Sequence, residues 1–311
     1  CISSAASDVY KRQVVGIVCY DMSGELLFQL NARGQGPGEY TDINAFAVNA
    51  SLHQLVIYDN MKQSLMFYST EDGRFVKSEK FNKPTPAEIA YWGGYFFYHN
   101  RLHRNYQDDI SLHYYLLASK DGITIGKRYF KHENNKEDYP FSPSGHNLYD
   151  NNSKLYYCRD FDNIVYQIHE DSVVPRFRIN LPNPLPASMI EERPNEMSLL
   201  RSGYSLGITD IYEYGGLLFF RFVKDGYIWS CLYNVEESKQ VYCAKRIKFL
   251  DSSLIDTIDG IYKDCFYSML TPEYLDYAFS ENPLEDYPDL FKTYDVEGDN
   301  PVIAFYRAVV R

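Results

Sequence analysis

Leu55-Val56-Ile57-Tyr58, closed by Asp59, is one of five apolar runs in this chain that stop at a polar or flexible residue. Tyr95-Phe96-Phe97-Tyr98 stops at His99, and Leu155-Tyr156-Tyr157-Cys158 at Arg159. Leu217-Leu218-Phe219-Phe220 stops at Arg221, and Cys265-Phe266-Tyr267-Ser268 at Met269. A run that returns every 40 to 60 residues or so marks one supersecondary unit used repeatedly.

The surroundings recur as well. After Leu55–Tyr58 comes a short polar loop, then Leu65-Met66-Phe67-Tyr68, the turn Glu71-Asp72-Gly73-Arg74, and the alternating stretch Phe75–Phe81. Asp-Gly between alternating strands signals a hairpin, because the glycine accepts the positive φ of the turn. The pair returns as Asp121-Gly122 and Asp225-Gly226. Four short strands per unit predict propeller blades, placed near 41–82, 87–131, 143–181, 205–249 and 256–310. Val14–Tyr20 and Glu25–Leu30 add part of one more. The expectation is an all-β, six-bladed β-propeller whose first blade is incomplete at the N-terminus. Short helical insertions are expected near 184–201 and 272–292; Thr271-Pro272-Glu273 is a helix start of cap, proline and acid.

Composition supports one globular β domain over 14–311. The 311 residues are 45% hydrophobic and 23% charged, with 30 Tyr and 19 Phe against 2 Trp, a choice suited to pleated, half-buried strands. The net charge of −11 excludes a nucleic-acid surface, which needs a basic stripe. No apolar stretch reaches the roughly 18 residues of a membrane span. Asp8-Val9-Tyr10-Lys11-Arg12-Gln13 reads as one-frame translation of a transposon-end tag, so residues 1–13 are set aside as non-native. Six cysteines lack the paired spacing of a zinc site. Cys231 and Cys243 lie symmetrically about a turn near Glu237; a disulfide there is geometrically open, but the expectation leaves both thiols unpaired.

Arg33-Gly34-Gln35-Gly36-Pro37-Gly38-Glu39-Tyr40 is the most distinctive segment. Three glycines around a proline make an ordered loop, but one without the lysine and hydroxyl of a phosphate-binding loop. It reads as a blade-to-blade connection. Together with Ile43–Val48, Leu55–Asp59, Leu65–Tyr68 and Asp72-Gly73-Arg74-Phe75, it resembles the six-bladed, NHL-like β-propeller proteins of gut anaerobic bacteria, which are envelope lipoproteins. Asp299–Tyr306 is similar to that family's last strand. The resemblance implies an exported, periplasmic or outer-membrane-anchored lipoprotein whose export signal is missing from this fragment. It supplies no catalytic residues.

Aligning the five runs puts Asp59, His99, Arg159, Arg221 and Met269 at one blade position. Strand ends of a propeller converge on one face, so the first four could line a shared polar pocket. Two arginines there favour an anionic or carboxylate-bearing ligand. The plainer reading, a side chain holding loop backbone where its strand ends, leads for Asp59 and stands level for the arginines. Glu39, Tyr40 and Trp92 join the candidates, since ring faces at a loop-rich mouth suit sugars or peptides. His99, His103 and His113 with Asp108 and Asp109 set no tetrahedral geometry, and no metal or cofactor is expected. Ser144-Gly145-His146 lacks a nucleophile elbow.

These readings converge on a non-catalytic binding or assembly module, a monomer whose partner is a glycan, a peptide or an envelope protein. The rival is a propeller hydrolase or lyase with a channel-bound metal or carboxylate pair.

Overall fold

The computed structural model describes residues 2–3, 16–21, 25–81, 85–100, 113–132, 142–143, 145–192, 194–245, 258–281, 294–295 and 301–307. The chain divides into two compact units, residues 1–138 with 169–173, and residues 139–168 with 174–311.

The first unit opens with a three-stranded ladder of β1 (Ile2–Ser3), β2 (Ile17–Tyr20) and β3 (Leu26–Leu30). Two four-stranded antiparallel meanders follow. One contains β4 (Ala45–Asn49), β5 (Gln54–Asp59), β6 (Ser64–Ser69) and β7 (Phe75–Lys80). The other contains β8 (Pro86–Trp92), β9 (Tyr95–Asn100), β10 (Tyr114–Ser119) and β11 (Lys127–Lys131). The first strands of these two blades, β4 and β8, pack side by side.

Alternation divides β5 and β6 between two cores. Val56, Tyr58, Leu65 and Phe67 pack with Ile89, Phe96, Tyr98 and Leu117 of the next blade. Leu55, Ile57, Met66 and Tyr68 pack instead with Ile17, Cys19, Phe28 and Leu30 of the N-terminal ladder. A strand covered on both faces must be apolar at every position, which is why the run catches the eye in the sequence. The outer strand β7 is exposed at most of its positions and reads Phe-Val-Lys-Ser-Glu-Lys.

The second unit repeats the plan. Its meanders are β12 (Leu148–Asp150), β13 (Leu155–Tyr157), β14 (Ile164–Ile168) and β15 (Val173–Arg178), then β16 (Ser205–Tyr214), β17 (Leu217–Lys224), β18 (Tyr227–Asn234) and β19 (Lys239–Ala244). A three-stranded sheet of β20 (Gly260–Tyr262), β21 (Cys265–Leu270) and β22 (Val302–Tyr306) ends it. The inner strands β12, β16 and β20 pack against one another. Asp225 and Gly226 have φ of 55° and 73°, the two positive values a two-residue turn needs to join β17 to β18.

Two expectations are corrected. The blades from β4 to β22 number five rather than six: the N-terminal hairpin gains only the two-residue β1, short of a four-stranded meander. The thiols of Cys231 and Cys243 are joined, not free, because β18–β19 register sets the two residues directly opposite, 4.1 Å apart at Cα. The helical insertions are α1 (Ala187–Glu191), α2 (Glu196–Leu200) and α3 (Pro272–Glu281); residues 282–292 of the second expected insertion lie outside the described residues.

Candidate functional site

The glycine segment forms a loop closed on itself. Gly34 N–H donates to Tyr40 O at 2.8 Å, and Tyr40 N–H to Ala32 O at 2.8 Å. Gly36 N–H donates to Glu39 Oε2 at 2.7 Å, so the carboxylate lies across the inside of the loop. A β-carbon on Gly34 would fall 2.1 Å from that oxygen. Gly38 adopts φ +78°, and a β-carbon there would meet the Phe75 ring at 2.9 Å. Tyr40 is fully buried and donates its hydroxyl to Leu30 O at 3.1 Å; Tyr68 does the same to Gly38 O at 3.1 Å.

Asp59, at the end of β5 and fully buried, fixes the way out of this loop. Its Oδ2 accepts from Thr41 N–H at 2.6 Å, and its Oδ1 from Lys62 N–H at 3.0 Å. Thr41 Oγ1 donates to the same carboxylate at 2.7 Å. Burial opposes the charge, but these donors and a backbone contribution from Asp42 outweigh it and hold the carboxyl below its ordinary range. Lys62 Nζ spans the loop, donating to Glu39 O at 2.6 Å. Beside it lies a recess of about 220 Å³ bounded by Gly36, Pro37, Gly38, Lys62, Met66 and Phe75. That is smaller than the roughly 300–1,000 Å³ of pockets that enclose a whole ligand, so it suits one ring or one side chain.

Glu39, Tyr40 and Asp59 are thus brought together. His99 and Trp92 lie in the following blade, His99 buried on β9 and Trp92 at the end of β8, opposite Tyr95. The Tyr95 ring faces are approached by Lys127 and Lys120, at 4.6 and 5.3 Å from the centroid. Of the histidine group, His103, Asp108 and Asp109 lie outside the described residues, as does Ser144. Among the described residues, no group of three or more His, Cys, Asp or Glu is placed to hold a metal.

The arginines belong to the second unit. Arg159 follows β13 and sets both Nε and Nη2 on Asp162 Oδ2, at 3.0 and 2.6 Å. Asp162 Oδ1 accepts from Asn163 and Ile164 N–H groups. Arg221, inside β17, donates Nε to Asp210 Oδ2 at 2.7 Å. Burial disfavours both guanidinium charges, and the paired carboxylates more than restore them. Asp160 recreates the Asp59 arrangement, accepting from a hydroxyl eighteen residues back: Ser142 Oγ at 2.7 Å, as Asp59 accepts from Thr41. Asp160, Asp162 and Asp210 were missed in the sequence. Asp162 was readable as the third residue after Arg159; Asp210 had no comparable signal.

Antiparallel meanders repeated along the chain, with first strands packed together within each unit, define a β-propeller. The chain belongs to the family described as a domain of unknown function (DUF4934), which matches residues 9–307. Its fold is similar to that of a presumed exported protein of Bacteroides fragilis NCTC 9343, at 17% identity and a TM-score of 0.75 over 94% of this chain and 84% of that one. A member of the duf4221 family from Bacteroides vulgatus is similar at 11% identity and a TM-score of 0.50, over 76% of this chain and 75% of that one. A search of curated proteins finds no match. No helix among the described residues is long and apolar enough to cross a membrane.

Proposed function

We propose that this chain is a non-catalytic recognition or assembly module of the bacterial envelope, binding a glycan, peptide or protein partner at its loop-rich face. The observation that carries the reading is the glycine loop. Its backbone is held by hydrogen bonds to Glu39, Asp59 and Lys62 beside a small recess that Lys62 helps to line, so little order is left to be imposed on binding. The candidate contacts in the first unit are Asp59, Glu39 and Tyr40 at the loop with His99 and Trp92 on the next blade; those in the second unit, taken separately, are Arg159 and Arg221. Two observations support an extracytoplasmic place of work: the Cys231–Cys243 disulfide, which persists in oxidising compartments, and the presumed exported Bacteroides protein of similar fold.

The test is a glycan and peptide array probed with the protein and with an Arg159→Ala, Arg221→Ala variant. Bound compounds are recovered and weighed by mass spectrometry. Binding that weakens in the variant, with ligand returned intact, supports the reading. Unchanged binding removes the arginines from the site, and a cleaved ligand refutes a non-catalytic role.

A further inference from the structure

Inner strand β16 bulges twice. Thr209 pairs with Arg221 and Tyr212 with Phe219, so Asp210 and Ile211 together oppose Phe220 alone. The other irregularity falls between Ser205 and Ile208. It contains Gly207, where a β-carbon would meet Phe161 Cα at 2.8 Å, in the turn that carries Arg159 and Asp162. The two arginine pairs therefore sit on segments in direct contact.

At the second bulge Asp210 takes φ +54° in the middle of a strand. Aspartate tolerates the left-handed region better than most residues, yet the conformation still carries a cost and is worth a reason. Bulges re-aim side chains, and here the carboxylate meets β17. Oδ2 accepts from Thr209 Oγ1 at 2.8 Å and from Arg221 Nε at 2.7 Å.

What remains unused separates this pair from the other. Arg159 spends two nitrogens on Asp162, whose second oxygen is taken by backbone. Arg221 is bound through Nε alone. Among the described residues, neither of its Nη groups donates a hydrogen bond and Asp210 Oδ1 accepts none, and the Arg221 side chain keeps 19% of its exposure.

Charge then selects the ligand class. Asp210 already neutralises the guanidinium, and Asp259 acts on the same group. An incoming carboxylate would find no surplus positive charge in a chain of net −11. An adjacent donor and acceptor on a neutral pair match two neighbouring hydroxyls, one accepting from Nη and one donating to Oδ1.

We propose that Asp210 and Arg221 form an anchor for a neutral sugar ring, gripping it by vicinal hydroxyls. The proposal rests on the recognition reading above and narrows it.

The experiment presents the full chain to an array of neutral oligosaccharides, uronic-acid oligosaccharides and peptides, alongside Arg221→Met, Arg221→Lys and Asp210→Asn. Asparagine accepts the left-handed backbone, so Asp210→Asn keeps the bulge while removing the charge and one acceptor. Thermal melting identifies any variant that fails to fold, and the remaining ones carry the result. Neutral oligosaccharides should bind, with affinity insensitive to salt up to ~0.5 M. Each folded variant should bind about tenfold or more weakly, the equivalent of one lost hydrogen bond near 1.4 kcal/mol. Neutral binding undiminished in the variants overturns the anchor and leaves the recognition reading standing. Binding confined to acidic glycans or peptides overturns the ligand class alone. An array with no bound compound overturns the anchor and narrows the recognition reading to a protein partner.

Discussion

Replacing Asp59 by asparagine should loosen the glycine loop without opening a cavity. The two side chains have the same shape, but asparagine has one accepting oxygen where aspartate has two. Thr41 N–H sits 2.6 Å from one carboxylate oxygen and Lys62 N–H 3.0 Å from the other, with Thr41 Oγ1 donating as well. Whichever way the amide is turned, one backbone N–H faces an NH₂ group at a fully buried side chain. A buried donor left unmatched costs about 1–3 kcal/mol, and the surviving bonds lose charge assistance worth roughly 1 kcal/mol. The expected loss is about 2–4 kcal/mol in urea unfolding at pH 7, followed by Tyr fluorescence. Thr41→Val, which keeps its N–H, should cost about 1 kcal/mol. The double variant should fall short of the sum, because both changes disable one carboxylate contact. An Asp59→Asn protein within ~0.5 kcal/mol of the parent would refute the reasoning, since it would mean the carboxylate is not holding the loop.

The same carboxylate gives an acid limit. Its folded pKa lies below its unfolded one, so its contribution is complete above about pH 4 and is lost as pH falls through the folded value; the urea midpoint should drop below pH 4 less steeply in Asp59→Asn. Joining residues twelve apart, the Cys231–Cys243 disulfide should contribute about 2–3 kcal/mol, read as the fall in the urea midpoint of Cys231→Ala, Cys243→Ala. Burial, with Asp162 and Asp160 nearby, pushes the Cys158 thiol well up, so of the free thiols among the described residues a thiol-reactive dye should reach half-buried Cys265 first and Cys158 only on unfolding.

Much of the fold is legible because propeller blades write their burial into the sequence. A second strand lies between two cores, so Leu55–Tyr58 is apolar throughout; an outer strand is largely solvated, so Phe75–Lys80 turns polar after its first two residues. The Asp-Gly pairs mark hairpins for a backbone reason that holds wherever they occur. The blade count is harder, because a hairpin such as β2–β3 has the local signature of a blade whether or not further strands complete it. The disulfide is only half legible: counting outward from the Asn234–Lys239 pair sets Cys231 opposite Tyr242, and a one-residue irregularity beside Leu232 and Tyr233 brings Cys243 into register instead.

The site is less legible, for a reason specific to charge. Counting by strand ends treats Arg159 and Arg221 as two available cations, whereas each is half of an ion pair in the folded chain. For Arg159 the answer lies three residues on. For Arg221 it lies eleven residues back on the neighbouring strand, and a regular ladder would not place it there: the bulge at Asp210 and Ile211 brings the carboxylate to the guanidinium. An irregularity of one residue has no periodic signal in the sequence, yet it reverses the electrostatic argument. With cations unpaired, the preferred ligand is an anion; with each neutralised, attraction between net charges disappears and directional hydrogen bonding is left to choose the partner. Ionic strength separates the two regimes: a site reading net charge should lose affinity steeply as salt rises, and one reading hydroxyl geometry should not.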